Sequence, residues 1–255
     1  MRKLYVIGLG SGNPDHMTVQ AIKALNDVDV FFLIDKGPAA SELAVAREEI
    51  CRRFIENPDY RIVRVRDPER NRQSADYKLA VDEWHRARAA AVESVIRDEL
   101  GSDERGAFLV WGDPTIYDST IRILQHVLAR GTVEFDYEVI PGISSIQALA
   151  AAHRIPLNGI GEAVHITTGR NLTQGRTGLS ENTVVMLDAE NSFRSAPAAD
   201  PYIYWGAYVG MPDETLIAGR VAEVANRIET VRKRMRDEKG WIMDIYLLKD
   251  GKAEE

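Results

Sequence analysis

The chain has 255 residues, 45% hydrophobic and 28% charged, with a formal net charge of −7 and a single cysteine, which fits a globular protein of one large or two smaller domains. The acidic balance argues against nucleic acid as the main partner, because a basic face supplies most of that affinity. Cys51 alone can form neither an internal disulfide nor a thiolate metal cluster, and no window approaches the roughly 18 apolar residues of a membrane span. The start MRKLYVIGLG has a short basic end and a brief apolar stretch with no small-residue cleavage site after it, so a cytoplasmic protein without membrane attachment is expected.

In chain order, strands are expected at 3–8 (KLYVIG), 28–34 (VDVFFLI), 60–65, 107–111 (AFLVW) and 133–140, all short, rich in Val, Ile, Phe and Tyr, and followed by turn residues. Helices are expected between them, over 16–27, 38–56, 74–100, 118–130 and 144–153. The last opens on serines suited to cap it, and His153 reads as the structural end of that helix. Strand alternating with helix predicts a mostly parallel sheet covered on both faces. Residues 154–162, with one proline and two glycines, read as a connector. A second set follows: strands at 163–169, 182–188 and 202–210, a helix over 213–236, and a strand at 241–249. Asp213 and Glu214 suit that helix's first turn, and Arg232, Lys233, Arg234 and Arg236 suit its end. Two α/β lobes are expected, 1–155 and 162–255.

The turn after the first strand, GLGSGNPDHMT (8–18), tests a dinucleotide reading and fails it at one position. The fingerprint G-x-G-x-x-G needs a third glycine where this chain has Asn13, although Asp35 could serve as the ribose acid. A tight turn with a helix start at Asn13-Pro14 explains the same glycines without a ligand. Two further turns change the balance: Gly112-Asp113-Pro114 follows one strand, and Pro141-Gly142-Ile143-Ser144-Ser145 follows the next. In a parallel sheet such turns share the carboxyl rim, where open α/β folds bind ligands and glycine lets the backbone approach them.

Taken together, GLGSGNPDHMT (8–18), WGDPTIY (111–117), VIPGISSIQ (139–147) and RIPL (154–157) resemble the tetrapyrrole (precorrin) methylases, and the resemblance extends over nearly the whole chain. VFFLIDKG (30–37), VVMLDAE (184–190), YWGAYVGMPDE (204–214) and GWIMDIYLL (240–248) resemble the branch that methylates a ring carbon and releases an acetyl group as acetate. The resemblance implies a homodimer of two-lobed α/β subunits, with a mostly parallel N-terminal domain and a smaller mixed-sheet C-terminal one. It implies a cleft between lobes for S-adenosyl-L-methionine, S-adenosyl-L-homocysteine as product, and a small-molecule tetrapyrrole substrate. Cofactor contacts carry over to Ser11, Trp111, Gly112, Asp113, Ile116, Ser144 and Ser145, then Met186, Leu187 and Asp188, and Ala207, Tyr208 and Val209. Ser11 stands where the family often has proline, and Trp111 stands in place of the first glycine of a G-G-D-P loop, adding a side chain beside the cofactor.

Methyl transfer from a sulfonium to an electron-rich ring carbon asks the protein mainly to hold two ligands in line. Removing an acetyl group needs water and a general base, for which Asp113, Asp118 and His165 are the rim candidates. The substrate's carboxylates call for local cations; Lys36, Arg70, Arg72, Arg154 and Arg170 are candidates, with Gly10 and Tyr117 as further substrate contacts. The five histidines are scattered and no metal spacing is present. A diphthine or ribosomal-RNA methyltransferase of the same fold, a nicotinamide dehydrogenase and a non-catalytic binding protein remain the alternatives at this point.

Overall fold

The computed structural model describes residues 1–35, 41–68, 77–176, 182–195 and 200–249. Three of the expected substrate residues, Lys36, Arg70 and Arg72, lie outside them. The described residues form two compact units, Met1–Ile143 and Ser144–Glu255.

The first unit is a five-stranded, wholly parallel sheet of β1 (Lys3–Gly8), β2 (Val30–Asp35), β3 (Arg61–Arg66), β4 (Arg105–Val110) and β5 (Asp136–Ile140), in the order β3-β2-β4-β1-β5. Alternation along each strand divides two apolar layers, because successive side chains point to opposite faces. Leu4, Val6, Phe32, Phe108 and Val110 pack with Val92 and Ile96 of α3 (Tyr77–Glu99) and with Ile123, Leu124 and Val127 of α4 (Thr120–Arg130). Tyr5, Ile7, Phe31, Ala107 and Leu109 pack on the other face with Ala21, Ala24 and Leu25 of α1 (Val19–Leu25) and Ile50 of α2 (Ser41–Phe54). Central strands covered on both faces read as continuous apolar runs, which is how KLYVIG and AFLV show themselves in the sequence.

The second unit opens with α5 (Ser145–His153) and holds a mixed sheet, β6-β7-β10-β8-β9. Its strands are β6 (His165–Thr168), β7 (Asn182–Met186), β8 (Tyr202–Ala207), β9 (Thr215–Arg220) and β10 (Asp244–Lys249). The short α6 (Gly169–Thr173) follows β6. One face carries α7 (Val221–Lys239), whose Ala225, Ile228 and Met235 pack with Ile203, Trp205, Tyr246 and Leu248. On α5, His153 Nε2 lies 3.0 Å from the Trp205 carbonyl oxygen and its ring sits edge-on to Tyr204. This helix, grouped with the first lobe by sequence, thus belongs to the second unit.

The long helix expected over 213–236 is corrected by the structure. TLIAGR is strand β9, paired antiparallel with β8, and the helix begins at Val221. Asp213 and Glu214 sit in the β8–β9 connection, where Glu214 accepts the Gly210 N–H at 2.8 Å. Arg232 is buried (4% exposed) rather than lying on a solvated helix end.

Candidate functional site

In the first unit the connections leaving β1 and β4 go to opposite faces of the sheet, because α1 packs in one apolar layer and α4 in the other. Adjacent strands whose connections diverge in this way mark the topological switch point, where open α/β sheets receive ligands. The glycine turn and the Trp-Gly-Asp-Pro turn lie there. They are joined by an antiparallel bridge, with Gly112 N–H donating to the Gly10 carbonyl at 2.8 Å and Gly10 N–H to the Gly112 carbonyl at 3.3 Å. The β5 turn closes onto both. A Cβ on Gly142 would sit 2.1 Å from the Gly112 carbonyl oxygen, and one on Gly8 would sit 2.6 Å from the Gly142 nitrogen. Only glycine allows three main chains to touch at such a point.

Asp113 fastens this corner. Its carboxylate accepts the Gly142 N–H at 2.9 Å and the Thr115 N–H at 2.8 Å, and also takes the Thr115 hydroxyl. With both oxygens engaged, it acts as a brace between two turns. Asp118 accepts the Thr120 N–H at 2.7 Å at the start of α4. Tyr117, half exposed, holds φ at +52°, a region that a bulky side chain rarely occupies. Ser11 is buried, with its Oγ 3.2 Å from His16 Nδ1. His16 lies in the same turn, in the 3-10 segment Pro14–His16, and a Cβ on Gly10 would meet its Cβ at 3.0 Å.

In the second unit, β7 and β8 both run antiparallel to β10, and Met186 and Gly206 both pair with Ile245. Thr168 of β6 pairs with Met186. The carboxyl ends of β6, β7 and β8 therefore form one edge, which gathers Arg170, Met186–Asp188 and Ala207–Val209. Two residues on that edge hold left-handed backbone, Leu187 at φ +53° and Tyr208 at φ +49°. Strained corners of this kind persist where the surroundings over-determine them, and they cluster at ligand sites. Tyr208 is tied down: its N–H donates to the Met243 carbonyl and its hydroxyl to the Trp241 carbonyl, each at 2.8 Å. The Asp188 carboxylate is used up by its own fold, accepting from Glu190 N, Ser192 N, Ser192 Oγ and the Tyr246 hydroxyl. What this edge offers a ligand is main chain and two exposed side chains, Leu187 and Arg170.

Ser144 caps α5, its Oγ accepting the Ile146 N–H at 3.1 Å, and Ser145 is half-buried in the first turn. Two candidates lie away from these edges. His165 opens β6, at the opposite end of the strand from Thr168. Arg154 is the left-handed C-cap of α5, at the far end of that helix from Ser144.

Two residues at the first unit's rim were missed in the sequence. His16 hides in the glycine turn among residues that read as a helix start. Arg47 of α2 places its guanidinium 5.5 Å from the Trp111 ring centroid, and burial holds its pKa below the usual arginine range. Its spacing on α2 looks like any solvated helix charge, and only the tertiary contact with Trp111 singles it out. Among the described residues, no group of three or more His, Cys, Asp or Glu could hold a metal ion, and no helix is long and apolar enough to cross a membrane.

Comparison with known proteins gives concordant matches. The family model for Tetrapyrrole (Corrin/Porphyrin) Methylases matches residues 3–225. A precorrin-6A synthase (deacetylating) from Sinorhizobium sp is 53% identical over 98% of this chain and 96% of the relative. A precorrin-2 C(20)-methyltransferase from the same source is 30% identical over 61% of this chain and 59% of its own length. Among solved structures, a cobalamin synthesis related protein (CobF) from Corynebacterium diphtheriae matches with TM-score 0.84 and 39% identity over 98% of both chains. A uroporphyrin-III C-methyl transferase from Thermus thermophilus, complexed with S-adenosyl homocysteine, shares the fold at TM-score 0.61 and 18% identity, over 97% of both chains.

Proposed function

The chain belongs to the tetrapyrrole (corrin/porphyrin) methylases, and we propose that within them it is an S-adenosylmethionine-dependent C-methyltransferase of cobalamin biosynthesis that converts precorrin-5 to precorrin-6A. The reaction methylates ring carbon 1 and releases the carbon-20 acetyl group as acetate. The observation that carries this reading is the near full-length identity with a deacetylating precorrin-6A synthase. The glycine-built rim of the first unit and the strained edge of the second are consistent with it, since both present main chain to a ligand.

The residues fit an adenosyl sulfonium. The residues that would hold it are Ser11, Trp111–Asp113 and Ile116 in the first unit, and Ser144, Ser145, Met186–Asp188 and Ala207–Val209 in the second. When bound, S-adenosylmethionine supplies an electrophilic methyl group. The chain's part is to hold the ring carbon in line with it, a positioning task for which rigid turns suit better than mobile side chains. Arg170, at the carboxyl end of β6, and Tyr117 and Gly10 in the first unit serve the substrate.

For the acetyl group we assign the general base to His16. His16 Nδ1 lies 3.2 Å from Ser11 Oγ, a contact that fixes the ring in the glycine turn, and an imidazole held there is the group we take to accept a proton from water. The water oxygen bonds the acetyl carbonyl carbon, the bond joining the acetyl group to the ring breaks, and its electron pair returns to the ring system. Acetate leaves. The same reading makes the protein a cytoplasmic homodimer that engages no nucleic acid, and light scattering on the purified protein tests the dimer.

A ligand at a hundred times its dissociation constant adds about 2.7 kcal/mol of stability. S-adenosylhomocysteine should therefore raise the melting temperature and NAD should not; the reverse would overturn the assignment. Incubation with precorrin-5 and methyl-labelled cofactor should give labelled product and acetate in equal amounts. His16→Gln should lose acetate release while still binding S-adenosylhomocysteine, and Ser11→Ala, which removes the contact that holds the ring, should lower acetate release less than His16→Gln does. Full acetate release by His16→Gln would remove His16 from the mechanism.

A further inference from the structure

The strongest unexplained feature of the first unit is a pair of buried donors with nothing to donate to. Arg47 Nε and Trp111 Nε1 are both shielded from solvent, and neither has a hydrogen-bond partner among the described residues. The two belong together: the guanidinium lies over the indole, 5.5 Å from its centroid. Trp111 is the residue immediately after β4, on the same side of that strand as Ala107 and Leu109, and so it faces α2 across the apolar layer. Asp118 is close enough to be felt electrostatically by Arg47, but among the described residues no carboxylate forms a salt bridge with Arg47 within 4.0 Å. Arg47 also lines a cavity whose walls include Phe31, Cys51, Tyr60 and Leu109 and the charged Glu48 and Arg52.

A guanidinium Nε–H and an indole N–H, each closed off from solvent and without a hydrogen-bond partner among the described residues, are both costly, the one on the charged group more so. Both are donors and neither can accept, so the missing partner is an acceptor, and the positive charge makes it an anion. The planar fork of arginine matches a carboxylate with two parallel hydrogen bonds. The pair stands at the first position of the Trp-Gly-Asp-Pro turn, on the switch-point rim described above.

We propose that Arg47 and Trp111 form a carboxylate receptor, completed only when ligand is bound. This rests on the methyltransferase reading, which supplies two carriers of that group: the methionyl end of the cofactor and the acetate and propionate arms of the tetrapyrrole. Arg47 takes the carboxylate through its fork while the indole N–H adds a third donor. The cation over the ring keeps the fork in place before the ligand arrives.

Calorimetric titration of the full chain with three probes tests this: S-adenosylhomocysteine, 5′-methylthioadenosine (the same nucleoside without the amino-acid carboxylate) and uroporphyrin, a tetrapyrrole with carboxylate arms. Arg47→Gln should weaken either S-adenosylhomocysteine or uroporphyrin by roughly tenfold to a hundredfold, as expected for losing a charge-assisted hydrogen bond, while methylthioadenosine binds as to wild type. Loss confined to S-adenosylhomocysteine assigns the receptor to the cofactor; loss confined to uroporphyrin assigns it to the substrate. Trp111→Phe, which keeps the ring and removes the donor, should cost a few-fold on the same probe. A purely structural Arg47 would instead lower the melting temperature of the ligand-free protein, whereas a receptor arginine should leave it unchanged or raise it in Arg47→Gln. Wild-type affinity of Arg47→Gln for both carboxylate probes overturns the proposal. Failure of the wild type to bind S-adenosylhomocysteine or methylthioadenosine overturns the methyltransferase reading itself, and the receptor falls with it.

Discussion

A single carboxylate and three glycines hold the first unit's rim in shape. Asp113 joins the turn after β4 to the turn after β5 through the Gly142 N–H, and Gly8, Gly112 and Gly142 approach too closely for any side chain. Asp113→Asn can aim its amide at that N–H only as donor against donor, or turn its oxygen there and give up the Thr115 contact. The Gly142 contact is part-buried and the Thr115 contacts are exposed, so losing one costs about 1 kcal/mol, the net worth of an ordinary hydrogen bond, and urea unfolding should show a loss of that size as well as weaker ligand binding. Gly142→Ala should be worse than Gly131→Ala. Both positions are glycine, but Gly131 at φ +65° has nothing within 4 Å of an added Cβ, whereas Gly142 would strike the Gly112 carbonyl oxygen. Equal stability of the two alanine variants would show that the rim adjusts freely. The glycines were legible in the sequence because each follows an apolar run. The brace was not, because an aspartate after a strand looks the same whether it caps a helix, binds a neighbouring turn or does chemistry. His16 and Arg47 were missed for a related reason, since a lone histidine and a helix arginine acquire meaning only from what the fold lays beside them.

At the level of elements, the parallel sheet was readable because strands covered on both faces must be apolar, and the central β1, β2 and β4 appear as short apolar runs. The two edge strands are the exceptions: β3 exposes arginines and β5 carries Asp136 and Glu138, and they were recognisable through Ile62, Val63 and Val65 and through Val139 and Ile140. In the second unit β9 was lost into a helix because acidic residues preceding an apolar stretch imitate a helix start, while its pairing with β8 is a long-range fact. The same error concealed Arg232. On α7 it crosses to Asp244 of β10 at 2.9 Å, both nearly inaccessible, and it also donates to Asn191 Oδ1 and to the Asp188 carbonyl beside the strained Leu187. Trp205 Nε1 donates to the same aspartate at 2.9 Å. Breaking a buried pair by removing one partner costs about 3–5 kcal/mol because the other charge is stranded. Arg232→Met should destabilise by that amount in urea, and adding Asp244→Asn should recover part of the loss by removing the stranded charge. A double variant less stable than Arg232→Met alone would mean that the Trp205–Asp244 contact, rather than the ion pair, dominates the site.

For the molecule as a whole, a net charge of −7 meets a substrate that the proposed function makes a polyanion. The overall field repels such a ligand, and nearby cations attract it, so the sign of the salt dependence tells which prevails. Screening shortens the reach of these forces from about 10 Å at 0.1 M salt to about 3 Å at 1 M. Long-range repulsion by the whole surface would be removed first, and affinity for uroporphyrin would then rise with salt. Contact attraction by arginines at the rim persists longer but is weakened, and affinity would fall. Arg170 follows the carboxyl end of β6, and Arg47 carries a partly buried charge, its Nε closed off from solvent, that water screens less than an exposed one. These local terms act at contact distance, where a unit charge outweighs a diffuse one spread over the surface, so binding should weaken as salt rises from 0.05 to about 0.5 M. Arg170→Gln should flatten that dependence, because an exposed cation contributes mainly the screenable part. Arg47→Gln should lower uroporphyrin affinity at every salt concentration if its anion is the substrate's, and leave the whole curve in place if its anion is the cofactor's. Uroporphyrin affinity that climbs steadily with salt would mean that global repulsion governs recognition and that no basic trough gathers the substrate.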